Sequence, residues 1–177
     1  YVHSSQMGTQ PRIGVVGATG AVGQVTLELL RERGYGNVRA FASSRSAGTT
    51  LDSGLTVEEA TPEALRDADL DVFLFSVGTG ASLELVPHAA ESGALCIDKS
   101  AAFRLTDGIP LLVAGVNDDA LDGGAIVAKP NCSAIQLSCV LKPIHDAAGL
   151  RRVRLATYQS MSGAGDAGVE RLRAVAP

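Results

Sequence analysis

The chain has 177 residues, 46% of them hydrophobic, with a net charge of −4. That is enough apolar material for a buried core, rich in Ala, Val, Leu and Gly and lacking Trp, as in an α/β protein with a buried parallel sheet. The acidic balance excludes nucleic acid as the main partner. No apolar run reaches the length of a membrane span. Three cysteines without a signal peptide read as reduced thiols of a cytoplasmic protein. Residues 1–6 precede Met7 and read as a tag remnant.

In chain order, Arg12 to Val16 predicts a strand. It is followed by Gly17-Ala18-Thr19-Gly20-Ala21-Val22-Gly23 and an apolar helix ending near Gly34. Val38 to Ala42 predicts a second strand, and the Ser-, Thr- and Gly-rich stretch from Ser43 to Gly54 an exposed loop. Leu55 to Glu59 reads as a weak strand. Pro62 to Asp67 reads as a helix with Thr61 as N-cap and proline at the first helical position. Further strands are predicted at Asp71 to Val77, Ala94 to Asp98 and Val153 to Gln159, and an extended run at Leu111 to Ala114. Helices are predicted at Ala81 to Ser92 and Ser133 to Ala148. This alternation implies a Rossmann-like, doubly wound, mostly parallel sheet with helices on both faces.

The glycine spacing is G-x-x-G-x-x-G. Glycines there let the backbone turn tightly and approach a pyrophosphate at the helix N-terminus, although such a turn can also be a packing device. Its place after a first strand and before a helix points to a dinucleotide. The second strand then runs into Ser43-Ser44-Arg45-Ser46, hydroxyls and a cation with no carboxylate. That set suits the 2′-phosphate of NADP, where NAD sites usually present Asp or Glu. A solvated polar loop is the plainer alternative.

Cys132 lies in Lys129-Pro130-Asn131-Cys132-Ser133, where a proline-bounded turn runs into a helical pattern. A thiol at a helix N-terminus is held in a field that favours the thiolate, the form that attacks acyl groups. Cys96 sits in an apolar run and reads as a core thiol, and no metal-ligand spacing appears. His145 lies thirteen residues along the same predicted helix, too far to serve Cys132 as a base, and His88 reads as a surface histidine. Asp98-Lys99-Ser100-Ala101-Ala102-Phe103-Arg104 follows a strand, at the edge where ligands bind. Arg104 either grips a phosphate or carboxylate with its fork or is an ordinary surface arginine. Gln159, in Tyr158-Gln159-Ser160-Met161-Ser162-Gly163-Ala164-Gly165, either positions a substrate or caps a turn.

Taken in order, GATGAVG, SSRSAG, SAAFR, PNCSAIQL and YQSMSGAG resemble the bacterial aspartate-β-semialdehyde dehydrogenase family, over about Arg12 to Gly168. The related N-acetylglutamyl-phosphate reductases typically carry Gly-Cys-Tyr, which is absent here. The resemblance implies an NADP-binding domain at 7–130 and, at 131–177, the start of an α+β catalytic and dimerisation domain. It implies that Cys132 attacks β-aspartyl phosphate and expels phosphate, that NADPH reduces the thioester to aspartate semialdehyde, and that the product feeds lysine, methionine, threonine and diaminopimelate synthesis. Arg104 then binds phosphate, Asn131 lies beside the oxyanion, and Gln159 orients the acyl intermediate. Ser162 joins the substrate set, as does Lys99, an extra lysine near the site that either strengthens anion binding or changes substrate choice. The cofactor set is Gly17, Thr19, Gly20, Ala21, Val22, Gly23, Ser43, Ser44, Arg45, Ser46, Ser76 and Gly163.

Family enzymes are homodimers or homotetramers and run to roughly twice this length. The resemblance therefore places the catalytic histidine and the carboxylate-binding arginine beyond the region matching Pro177. It implies that this chain is an N-terminal half with poor turnover on its own. Lys99, Gly115 and Lys129 depart from the usual Asp-Asn-Ser, Glu-Val-Asn and Asn-Pro-Asn-Cys. Reduction of another acyl phosphate, or a non-catalytic NADP-binding module, are the alternatives to the family reaction.

Overall fold

Six short strands alternate with helices and hydrogen-bond side by side, all parallel, in the order β3-β2-β1-β4-β5-β6. The computed structural model describes residues 10–121 and 123–175. The strands are β1 (Ile13–Val16), β2 (Val38–Ala42), β3 (Val57–Glu59), β4 (Val72–Phe75), β5 (Leu95–Asp98) and β6 (Ile126–Ala128). The helices between them are α1 (Ala21–Glu32), α2 (Pro62–Arg66) and α3 (Thr79–Glu91). The chain divides into two compact units, 1–131 and 132–177.

In the first unit β1 lies at the centre, and all four of its residues are buried. Side chains alternate across a strand, so adjacent residues reach opposite faces. Val15 joins Ala18, Leu27 and Ala40 under α1. Val16 joins Phe41, Phe73 and Phe75 with Leu65 of α2 and Leu85 and Val86 of α3. Helices thus cover both faces, as a sheet of Val, Ile and Phe without polar alternation requires. Thr61 caps α2, its hydroxyl accepting the Ala64 N–H at 3.1 Å.

The strand order reverses between β1 and β4: the chain moves outward through β2 and β3, then crosses back to β4 on the other side of β1. Folds of this class take ligands at the carboxyl ends of the strands where the order reverses, here β1 and β4.

The second unit holds α4 (Cys132–Ala148), a 3₁₀ turn at Met161–Ala164 and α5 (Asp166–Val175). Two features differ from the sequence expectation. Residues 153–159 form no strand among the described residues and are exposed throughout. Their β-branched and aromatic composition gives the tendency, but a strand exists only where a neighbouring backbone completes its ladder. Conversely, β6 completes the sheet beside β5 from the apolar run Ala125 to Ala128. The predicted extended run at Leu111 contributes only a single parallel bridge to Ala128. No helix among the described residues is long and apolar enough to cross a membrane.

Candidate functional site

The carboxyl edge of the sheet gathers the chemistry of the first unit. After β1 the backbone turns through Gly17 at φ +84°, a left-handed conformation that costs an L side chain about 1–2 kcal/mol. A Cβ on Gly17 would also stand 2.4 Å from the carbonyl oxygen of Ser76. The Gly17 and Ala18 N–H groups both donate to the Phe41 carbonyl, at 2.8 and 3.0 Å, and Gly20 N–H donates to the Gly17 carbonyl at 3.1 Å. Gly23, buried in the first turn of α1, lies so close that a Cβ would meet the Gly17 oxygen at 2.1 Å. Only bare Cα positions allow β1, the turn and α1 to pack this tightly.

Gly20 is the N-cap of α1 and brings no side-chain acceptor. The first-turn amides of Ala21, Val22 and Gly23 thus form an uncapped anion-binding end, which is the cradle a dinucleotide diphosphate needs. Thr19 is half-buried in the turn, its carbonyl accepting from Gln24 Nε2 at 3.0 Å. At the end of β2, Ser43, Ser44 and Arg45 are exposed and Ser46 half-buried, in a turn closed by Ser46 N–H to the Ser43 carbonyl at 2.9 Å. Among the described residues Arg45 has no ion-pair partner, and Ser43 to Ser46 present hydroxyls and a cation with no carboxylate.

The ends of β4, β5 and β6 carry the second group. Asp98, fully buried, accepts from Ser82 Oγ of α3 at 2.8 Å, Ser100 Oγ at 2.7 Å and Ser100 N–H at 3.1 Å. Ser100 Oγ in turn accepts the Ala102 N–H at 2.9 Å. This network fixes the loop that leads to Arg104. The Arg104 fork donates to the Lys129 carbonyl from Nε at 2.9 Å and to the Lys99 carbonyl from Nη2 at 3.1 Å. It is half-buried across the ends of β5 and β6, and a guanidinium fork of this kind has the chemistry to grip an anion. The Lys99 ammonium points elsewhere, donating to Thr26 Oγ1 of α1 at 2.9 Å and Ser76 Oγ, just past β4, at 3.0 Å. Burial, reinforced by the charge of Lys129, lowers its pKa to about 8.

Asn131 is the last residue of the first unit and is exposed. Cys132 opens the second unit as the first residue of α4, a 17-residue helix, and is exposed. In that unit Gln159 is exposed, with Nε2 at 3.4 Å from Thr157 Oγ1. Ser162 and Gly163 lie in the 3₁₀ turn, where Ser160 Oγ stands 2.7 Å from Ser162 Oγ. His145 is at the far end of α4, its Nδ1 accepting the Leu150 N–H at 3.1 Å, and so closes the helix. His88 pairs with Arg66 and Glu91 on the surface. Within the first unit the structure therefore brings together the glycine turn, Ser76, Lys99 and Arg104. Cys132, Gln159, Ser162 and Gly163 belong to the second.

Thr26 and Ser82 were not singled out by the sequence, because each bonds to a partner far along the chain. Asp98-x-Ser100 did carry a signal: aspartate at a strand end with serine two residues on is the pattern of an Asx turn.

Cys96 is fully buried in β5, and burial pushes its thiol up to about 12. Ellman's reagent at pH 8 should therefore titrate Cys132 and Cys139 in the native chain and reach Cys96 only after denaturation, since the thiolate is the reacting form. Three thiols reacting at one rate without denaturant would contradict the packing of β5.

A sequence model of the semialdehyde dehydrogenase NAD-binding domain matches residues 12–124. The chain belongs to the semialdehyde dehydrogenase family. The dimerisation-domain model of the same family matches residues 141–175. Among curated relatives, aspartate-semialdehyde dehydrogenase of Corynebacterium glutamicum is 46% identical over 170 residues, covering 90% of this chain and 49% of that protein. The Bacillus subtilis enzyme is 42% identical over 172 residues, covering 94% and 49%. Among solved structures, aspartate semialdehyde dehydrogenase II of Vibrio cholerae, complexed with ASA, superposes with a TM-score of 0.82 at 40% identity, covering 94% of this chain and 52% of that one. The Candida albicans enzyme with NADP superposes with a TM-score of 0.68 at 26% identity, covering 80% and 48%. The chain spans about half the length of the curated relatives it matches. The stretch matched by the NAD-binding domain model includes the glycine turn described above.

Proposed function

We propose that the full-length protein is an NADP-dependent aspartate-semialdehyde dehydrogenase. It would reduce L-β-aspartyl phosphate to L-aspartate 4-semialdehyde, reversibly, through a thioester on Cys132. The observation that carries this reading is an exposed cysteine at the first position of a long helix, in a chain of the semialdehyde dehydrogenase family.

In this reading the Cys132 thiolate attacks the acyl carbonyl, and the amides at the head of α4 favour the oxyanion and the thiolate alike. The tetrahedral adduct collapses, the C–O bond to phosphate breaks with its electron pair, and the acyl group remains on sulfur. Arg104, pinned through the Lys99 and Lys129 carbonyls, grips the departing phosphate, and Asn131 lies beside it. When bound, NADPH supplies the hydride that reduces the thioester carbonyl. The resulting thiohemiacetal oxyanion collapses, its electron pair re-forms the carbonyl, and the C–S bond breaks with its pair on sulfur, returning the Cys132 thiolate and releasing the aldehyde. Gln159 orients the acyl group, with Ser162 beside it. The glycine turn holds the diphosphate, Ser76 and Gly163 line the cofactor site, and Ser43 to Ser46 take the 2′-phosphate. The reaction places the protein in the cytoplasmic synthesis of lysine, methionine, threonine and diaminopimelate. The match to a dimerisation domain supports a homodimer.

The test is phosphate-dependent reduction of NADP by the full-length protein with aspartate semialdehyde, against a panel of other aldehydes. Activity greatest on aspartate semialdehyde is the expected result; preference for another aldehyde would transfer the reaction to a different acyl phosphate.

A further inference from the structure

Among the described residues Lys99 has no partner of opposite charge. Its ammonium is half-buried, yet it donates only to two neutral hydroxyls, Thr26 Oγ1 at 2.9 Å and Ser76 Oγ at 3.0 Å. Among the described residues no carboxylate pairs with it. The nearest acid along the chain, Asp98, is buried and engaged by Ser82 and Ser100. A cation withdrawn from water without a counter-ion is unfavourable, and the positive Lys129 makes it more so. The two acceptors lie on α1, which follows the glycine turn, and on the residue after β4. Ser76 also touches that turn directly, its carbonyl oxygen lying where a Gly17 side chain would begin. The ammonium is thus tied to Ser76 and to Thr26, whose hydroxyl donates to the Val22 carbonyl in the first turn of α1 at 2.7 Å, while Arg104 bonds carbonyls at the ends of β5 and β6.

We propose that Lys99 is a cofactor-side cation, held between Thr26 and Ser76 as the counter-charge to the diphosphate of the dinucleotide, and separate in role from the phosphate-gripping Arg104. This rests on the NADP-binding reading above. The bound diphosphate completes an ion pair that the chain itself leaves open, so part of the affinity comes from relieving an unpaired charge. Because the diphosphate is common to both dinucleotides, Lys99 strengthens NADPH and NADH alike, whereas Arg45 at the end of β2 acts on the 2′-phosphate alone.

Among the described residues the charge acting on the ammonium is that of Lys129 at the end of β6; Arg104, in the loop after β5, bonds the Lys99 carbonyl, and Thr26 of α1 and Ser76 after β4 face the ammonium with hydroxyls. With its pKa lowered to about 8, Lys99 is partly deprotonated in the empty chain at pH 8.5, and a bound anion draws the proton back.

The experiment measures binding of NADPH and of NADH to this chain by fluorescence titration, and proton uptake by calorimetry at pH 8.5 in two buffers of different ionisation enthalpy. The variants are Lys99→Met, which removes charge and donors, and Lys99→Gln, which keeps a donor without charge and carries the test if the first misfolds. The expected result is proton uptake in the wild type, none in either variant, and weakening of both dinucleotides by about tenfold or more. Wild-type affinity and proton uptake in Lys99→Gln would overturn the proposal, as would a loss confined to NADPH. A wild-type chain that binds neither dinucleotide would instead remove the cofactor reading, and this inference with it.

Discussion

Phosphate-dependent NADP reduction by the full-length protein should fall by about four orders of magnitude or more in Cys132→Ala, to the assay floor, because removing a covalent nucleophile removes the pathway itself. The thiol is exposed at the head of α4, so the substitution leaves no cavity and the melting temperature should stay near that of the wild type. Cys139→Ala, two turns further along the same exposed helix, is the matched control and should keep its activity. Loss of activity in both would point to α4 packing rather than chemistry. Survival of activity in Cys132→Ala would end the thioester mechanism, whatever the family resemblance.

The second large effect is expected at Gly23. An alanine Cβ there would sit 2.1 Å from the Gly17 oxygen and 2.8 Å from the Ala18 Cα, all backbone atoms of the turn itself. No rotamer relieves this, so β1 and α1 must separate. Overpacking of this kind costs about 3 kcal/mol, which in a domain of this size lowers Tm by about 6–12 °C. Displacing the turn also dismantles the diphosphate cradle, so NADPH affinity should drop at least about tenfold. Gly20→Ala separates the two consequences. Its Cβ would meet only the Gly17 oxygen, at 3.4 Å, and its φ of −77° suits any residue. Thermal stability should therefore survive, while the added methyl at the N-cap obstructs the close approach of a dinucleotide. A Gly23→Ala variant that melts with the wild type would refute the packing argument.

Much of the fold was legible because it is local. The runs around Ile13, Val38, Val72 and Leu95 are apolar and β-rich, and the helical patterns between them are bounded by glycine, threonine and proline signals. The glycine turn could be read for the same reason: its demands are set within seven residues. The failures were non-local. Residues 153–159 have strand composition, yet they form no ladder among the described residues. The run at Ala125 to Ala128 is too short to mark itself as a strand, and β5 supplies the edge that makes it one.

By itself the sequence determined the alternating α/β class, the glycine turn before α1, the burial of Cys96 and the placing of Cys132 at the head of a helix. Each follows from propensity, periodicity and backbone geometry over a few neighbouring residues. Only the tertiary structure decided which side chains meet. It set Lys99 against Thr26, 73 residues away, and Arg104 against the Lys129 carbonyl, 25 residues away. It also gave the buried Asp98 its partner Ser82 on α3. Those contacts exist because crossovers bring the ends of β1, β4, β5 and β6 to one edge, and the order in which strands pair is a property of the whole sheet rather than of any segment within it.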